Sequence, residues 1–325
     1  MGGLGGARSP PCGEGVSAAP PPSLSLRTSS HGGEVLARAE PNPPHVLGSW
    51  ALVLLIHGYN NDMPEGTKAY EGFRARQREL GEPVADRQLV DVYWPGDASW
   101  WIFSPLYYPW SIGRARESAP VLARAIAEAV ARGGWKQIDV VAHSLGCRLA
   151  LELIAALAAV PGVYVRRVAL MAAAVPTFLL EPGHARRLRE AWDAMRSEGP
   201  LSLYSPADPV LAFAFPLGQT AGGAGEGWFP TALGHDCWAG GLEPSGLEQR
   251  EIPGAGHSDY WGWKEGTLAQ SREAARHVRE FLRLGPIPVR ELAGRSSPAR
   301  AGAEARATAA PREVPAREVE PPQTA

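Results

Sequence analysis

The sequence lacks what several kinds of protein require. Its three cysteines, Cys12, Cys147 and Cys237, are too few and too widely spaced for a disulfide framework or a zinc site. That usage suits a reducing compartment. Nowhere do about 18 apolar residues run together, so no transmembrane helix is expected. No basic segment followed by an apolar one opens the chain, so no secretory signal is expected, and a cytoplasmic location is the expectation. Neither sign of charge dominates: 32 Lys and Arg against 34 Asp and Glu leave a net charge of −2. That balance gives no reason to expect nucleic acid or an anionic membrane surface as a partner. Oligomeric state is not legible.

What is there is an ordinary globular composition over 325 residues, 45% hydrophobic and 20% charged. The two ends depart from it. Residues 1–45 are rich in Gly, Pro, Ser and Ala, with Pro20-Pro21-Pro22 and Pro41-Asn42-Pro43-Pro44. Residues 285–325 repeat the pattern with prolines, alanines, arginines and glutamates. Both are expected to be disordered tails, leaving one α/β domain at 46–284.

Within that domain strands and helices alternate. Strands are expected at Ala51–Ile56, Leu89–Trp94, Ile138–Ala142, Val163–Met171, Leu201–Tyr204 and around Arg250–Ile252. Helices are expected from Pro64 to Leu80, Ile112 to Arg132, Gly146 to Val160, His184 to Met195 and Thr267 to Leu284. This alternation predicts a mainly parallel sheet with helices on both faces.

The most informative stretch is Val140-Val141-Ala142-His143-Ser144-Leu145-Gly146. An apolar run stops at a serine flanked two residues away by small side chains, and an apolar helical pattern follows. Strand, serine on a sharp turn, helix is the architecture of a nucleophile elbow. Positions 142 and 146 must be small because strand and helix crowd a strained serine backbone, and alanine is acceptable at the first.

A serine hydroxyl is a weak nucleophile at neutral pH, so an imidazole must take its proton and a carboxylate must orient that imidazole. Asp208 directly follows the strand Leu201–Tyr204, and His257 directly follows the strand near Arg250–Ile252. The order serine, acid, histidine fits. Asp259 is too near His257 in sequence to orient it from behind, and Asp193 lies on a helical face. His235 and His184 do not directly follow a strand. His143 and His57 read as structural residues, Arg148 as a surface or ion-pair residue, and Cys147 as a small buried one.

Together these pieces resemble the α/β-hydrolase superfamily of esterase- and lipase-like serine hydrolases. More narrowly, the chain is similar to bacterial hydrolases with an H-G-Y/F-N-N loop, here His57 to Asn61, a tryptophan-proline element, here Tyr93-Trp94-Pro95-Gly96, and an A/G-H-S-x-G elbow. The resemblance implies an α/β-hydrolase fold, no metal or organic cofactor, and a small-molecule ester or acyl substrate. It also implies that the backbone N–H groups of Tyr59 and Leu145 face the oxyanion. Acyl transfer with the same residues, or a silent hydrolase fold used for binding, are the alternatives. One departure is Ala172-Ala173-Ala174-Val175-Pro176, where many relatives carry alanine-proline-aspartate.

The stretch Ser99 to Trp110 is dense in aromatic residues and broken by prolines. It reads either as a loop packed back on the domain or as an apolar wall over an acyl pocket, with Trp101 and Tyr107 as substrate-binding residues.

Overall fold

The computed structural model describes residues 19–59, 61–81, 87–97, 108–180, 188, 199–217, 230–236 and 247–284. Among these, eight strands form one sheet: β1 (Ser23–Arg27), β2 (Val35–Asn42), β3 (Ala51–Ile56), β4 (Gln88–Tyr93), β5 (Lys136–His143), β6 (Val163–Met171), β7 (Leu201–Tyr204) and β8 (Glu248–Glu251). Their order is β2-β1-β4-β3-β5-β6-β7-β8. Every neighbouring pair is parallel except β1 with β2.

Helices α1 (Met63–Glu79), α2 (Tyr108–Gly133), α3 (Gly146–Leu157) and α4 (Leu268–Leu282) cover the sheet. All six residues of β3 are buried, which explains its continuous apolar run. Its side chains nonetheless alternate between two cores. Leu52, Leu54 and Ile56 pack with Leu122 and Ile126 of α2 and Leu149 and Leu153 of α3. Val53 and Leu55 face the opposite way, with Tyr70 and Phe73 of α1 and Val278 and Phe281 of α4. Local chemistry sets the helix ends. Asp62 caps α1 by accepting the Glu65 N–H at 2.8 Å, and Pro64 occupies its first turn. No helix among the described residues is long and apolar enough to cross a membrane.

The N-terminal boundary needs correction. The expected tail 1–45 contains β1 and β2, both in the sheet. Leu24 and Leu26 are completely buried, with Leu24 opposite Val92 of β4. The alternation Ser-Leu-Ser-Leu is a strand pattern, but it holds just two apolar residues and follows three prolines. Its partner β4 is more than 60 residues away, so nothing local announces the pairing. Pro41 fits because β2 is the edge strand, where a missing N–H leaves no ladder bond unmade. Arg27 closes β1 with an ion pair to Asp97 at 2.8 Å, both side chains almost fully buried.

Other differences are small. Helix α2 starts at Tyr108 rather than near Ile112. The helix expected over His184–Met195 lies outside the described residues apart from Leu188, which is helical and buried. Residues 1–18 and 285–325 also lie outside them.

Candidate active site

Parallel strands deliver their following loops to one edge of the sheet, and four of those loops, after β3, β5, β7 and β8, meet at Ser144. The serine follows β5 with φ 54°, a left-handed conformation that a non-glycine residue rarely adopts. The turn is held by its neighbours. The Ser144 N–H donates to the Met171 carbonyl at 3.0 Å, and its carbonyl accepts from the N–H groups of Cys147 and Ala174. The small residue at 146 has a direct cause: a Cβ on Gly146 would stand 2.2 Å from the His57 carbonyl oxygen. Ala142 is fully buried in the sheet and tolerates its methyl there.

Asp208 and His257 arrive from the ends of β7 and β8. The Asp208 carboxylate is completely buried. One oxygen accepts the N–H groups of Val210 and Leu211 at 2.9 and 3.1 Å, at the start of the helical turn that follows. The other lies 2.7 Å from His257 Nδ1. A carboxylate can only accept, so Nδ1 carries the hydrogen and Nε2 is left as an acceptor. Ser144 Oγ sits 2.8 Å from that Nε2. Serine, histidine and aspartate therefore form one unbroken hydrogen-bonded chain. Asp259 is elsewhere, accepting the Gly256 N–H at 2.7 Å.

The loop after β3 closes the other side. A Cβ on Gly58 would be 2.8 Å from Ser144 Cβ, so glycine lets this loop lie directly on Ser144. The next residue, Tyr59, has its hydroxyl bonded to Ser111 of α2. Leu145 caps α3, where the first N–H groups of a helix have no intrahelical acceptor.

His57 holds the loop in place. It is completely buried, and burial pushes its imidazole pKa down to about 4. Its backbone N–H donates to the Tyr70 hydroxyl at 2.9 Å, and Trp94 Nε1–H donates to its carbonyl at 2.9 Å. Its ring lies 2.9 Å from the Gly58 carbonyl through Nδ1, accepts the Trp94 N–H through Nε2, and stacks on the Trp94 indole. Tyr70 and Trp94 gave no sign of this role in the sequence, because each acts through backbone groups far away in the chain.

Three further readings meet the structure here. Arg148 is not a surface residue: it is 3% exposed and paired with Glu152 at 3.0 Å, one helical turn on. Cys147 is fully buried, which raises its thiol pKa. Trp101 and Tyr107 lie outside the described residues.

The strand order, with a single antiparallel edge pair and the strained serine between a central strand and its helix, decides the architecture. The chain has the α/β-hydrolase fold. No protein-family profile matches the sequence, and no curated protein sequence matches it. Similar solved structures include LpqC, a poly(3-hydroxybutyrate) depolymerase from Bordetella parapertussis. It is 18% identical, with 76% of this chain and 83% of that one covered and a TM-score of 0.41. Another is the RedJ thioesterase of the prodiginine pathway in Streptomyces coelicolor, 14% identical over 71% of this chain and 89% of that one, TM-score 0.39. A third is TT1662 from Thermus thermophilus, 19% identical over 72% and 88%, TM-score 0.40.

This hydrolase fold also explains the alanine run after β6. Ala172 has φ 44°, and Gly234 lies against it so tightly that a Cβ there would be 2.0 Å from the Ala173 nitrogen. The run is occupied in bracing the carbonyl of Ser144 through Ala174.

Proposed function

We propose that the protein is a serine hydrolase that cleaves a carboxylic ester or thioester of a small molecule through an acyl-enzyme on Ser144. The observation that carries this reading is the chain Asp208–His257–Ser144, with separations of 2.7 and 2.8 Å, ending on a serine held in a strained turn. Such a turn has no evident use unless the hydroxyl must stand clear of strand and helix.

In this reading His257 Nε2 takes the hydroxyl proton as Ser144 Oγ adds to the substrate carbonyl. The N–H groups of Tyr59 and Leu145 receive the oxyanion, and the loop packing described above keeps them in place beforehand. His257 then gives its proton to the departing alcohol or thiol. A water, deprotonated by the same imidazole, releases the acid and restores Ser144. Asp208 stays ionised throughout and holds Nδ1–H, so that Nε2 remains the acceptor. Trp101 and Tyr107 are assigned to the acyl pocket from the aromatic density of their segment alone. A profile of activity against acyl length, flattened by Trp101→Ala or Tyr107→Ala, supports that assignment.

The test is covalent. A fluorophosphonate probe should label the native protein once, at Ser144, and Ser144→Ala should lose both labelling and several orders of magnitude in turnover of p-nitrophenyl esters. Full labelling of the alanine variant refutes the proposal.

A further inference from the structure

His143 directly precedes the nucleophile, and its ring reaches the loop that carries the base. It is 5% exposed, and its Nε2 lies 2.7 Å from the backbone carbonyl of His257. A carbonyl oxygen only accepts, so Nε2 of His143 carries the hydrogen and Nδ1 does not. That Nδ1 is buried without a hydrogen-bond partner, against Gly58, where a Cβ would stand 2.9 Å away. Burial, reinforced by the neighbouring His257, pushes the imidazole pKa down to about 3, so the ring is a neutral donor at working pH.

The loop it holds has few other attachments. Residues 253–260 are bonded mainly to one another and to adjoining Ile252: Ala255 N–H to the Ile252 carbonyl, Asp259 N–H to the Gly256 carbonyl, Gly256 N–H to the Asp259 carboxylate. Beyond the local bond to adjoining Ile252, three hydrogen bonds join that stretch to the rest of the described residues. Two are the ring contacts of His257 with Asp208 and Ser144, and the third is the carbonyl contact with His143. The ring contacts must loosen and re-form as protons move. The carbonyl contact need not, and it comes from the buried end of a central strand. The His143 ring also lies 5.1 Å from that of His257, with Tyr260 and Trp261 at 6.0 and 5.9 Å around it.

We propose that His143 is a positioning residue: its Nε2–H anchors the His257 backbone to the nucleophile's own strand and so sets the Ser144–His257 separation. This rests on reading Ser144, His257 and Asp208 as a catalytic triad. A displacement of about 1 Å at such a contact is enough to lower turnover roughly 100-fold.

The test compares two amides. In His143→Gln the side-chain nitrogen can occupy the Nε2 position and keep the donor. In His143→Asn it sits at the Nδ1 position, leaving the His257 carbonyl unbonded. Melting temperatures of both should stay close to each other. The Asn variant should lose roughly 100-fold in kcat with KM changed less than about threefold, and label more slowly at Ser144. The Gln variant should recover at least about tenfold of that loss. The acid limb of the kcat/KM pH profile should also move in Asn and not in Gln. The groups that face the His257 ring are Asp208 and Ser144, with the His143 ring 5.1 Å away.

Equal kcat values for Asn and Gln, or an Asn variant within about threefold of the native enzyme, overturn the proposal. If the Asn variant does not fold, the native protein decides. Its long-range 1H–15N spectrum should show His143 as the Nε2–H tautomer, and the Nδ1–H tautomer overturns the assignment. Retention of turnover by Ser144→Ala sinks the triad reading instead, whatever the His143 series shows.

Discussion

Arg27 is where the corrected N-terminal boundary can be put to a quantitative test. Its guanidinium donates to both oxygens of Asp97 at 2.8 Å, to the Gly32 carbonyl at 2.8 Å and to the Ser29 carbonyl at 2.6 Å. Asp97 has one further donor, the Gly32 N–H. Arg27→Met keeps the apolar stem but leaves Asp97 a buried carboxylate hydrogen-bonded by one amide, with the more distant Arg114 guanidinium left to offset its charge. Removing one partner of a buried pair costs about 3–5 kcal/mol, because the remaining charge is neither solvated nor paired. Against a net stability of about 5–15 kcal/mol this is a large share. For a domain of this size it lowers Tm by about 6–20 °C. Urea unfolding of the native protein, Arg27→Met, Asp97→Leu and the double variant measures it. The double variant should recover more than half of the loss, since replacing both charges by apolar groups is often near neutral. A loss below about 1 kcal/mol for Arg27→Met, the range of an exposed pair, refutes the reasoning and with it the claim that β1 is integral to the sheet.

Three other outcomes are expected. A chain beginning at residue 46 should fail to unfold cooperatively, because it loses Leu24 and Leu26, worth about 1.5–3 kcal/mol each, as well as the partner of Asp97; a sharp thermal transition near the native Tm contradicts this. Asp208→Asn should lower kcat by about 10⁴-fold by letting His257 adopt the wrong tautomer, while Asp259→Asn, which touches only the Gly256 N–H, should change it far less; the reverse ranking in ester hydrolysis sinks the assignment. Stability should fall on acidification from pH 6.5: His57 and His143 have folded pKa values of about 4 and 3, so the unfolded chain binds protons first and each costs about 2 kcal/mol by pH 5. Asp91 and Asp139, whose carboxyls burial raises, act in the opposite sense, so the decisive readout is the slope lost in His57→Gln; an unchanged slope between pH 7 and 5 refutes it.

Legibility tracked the distance along the chain over which each feature is defined. The elbow is spelled out by consecutive residues, and the loop packing that demands a small side chain at 146 adds only the reason. Asp208 and His257 were recognisable as candidates because each directly follows a strand, and parallel strands send such loops to one edge. The sheet's centre was legible in the buried runs of β3, β5 and β6. Strand β1 was not: its two leucines pair with a strand on the far side of α1, and its arginine with an aspartate 70 residues away. The contact between His143 and the His257 carbonyl, 114 residues apart, had no local signature either.

Period, turn chemistry and motif order are properties of short segments, and they determined the alternation of elements, the elbow and the candidates for its partners. Burial partners, tautomers and the pKa values that follow from them depend on which segments meet. Only the tertiary structure decided those: that β1 joins the sheet, and that His57 and His143 are neutral and held by backbone groups.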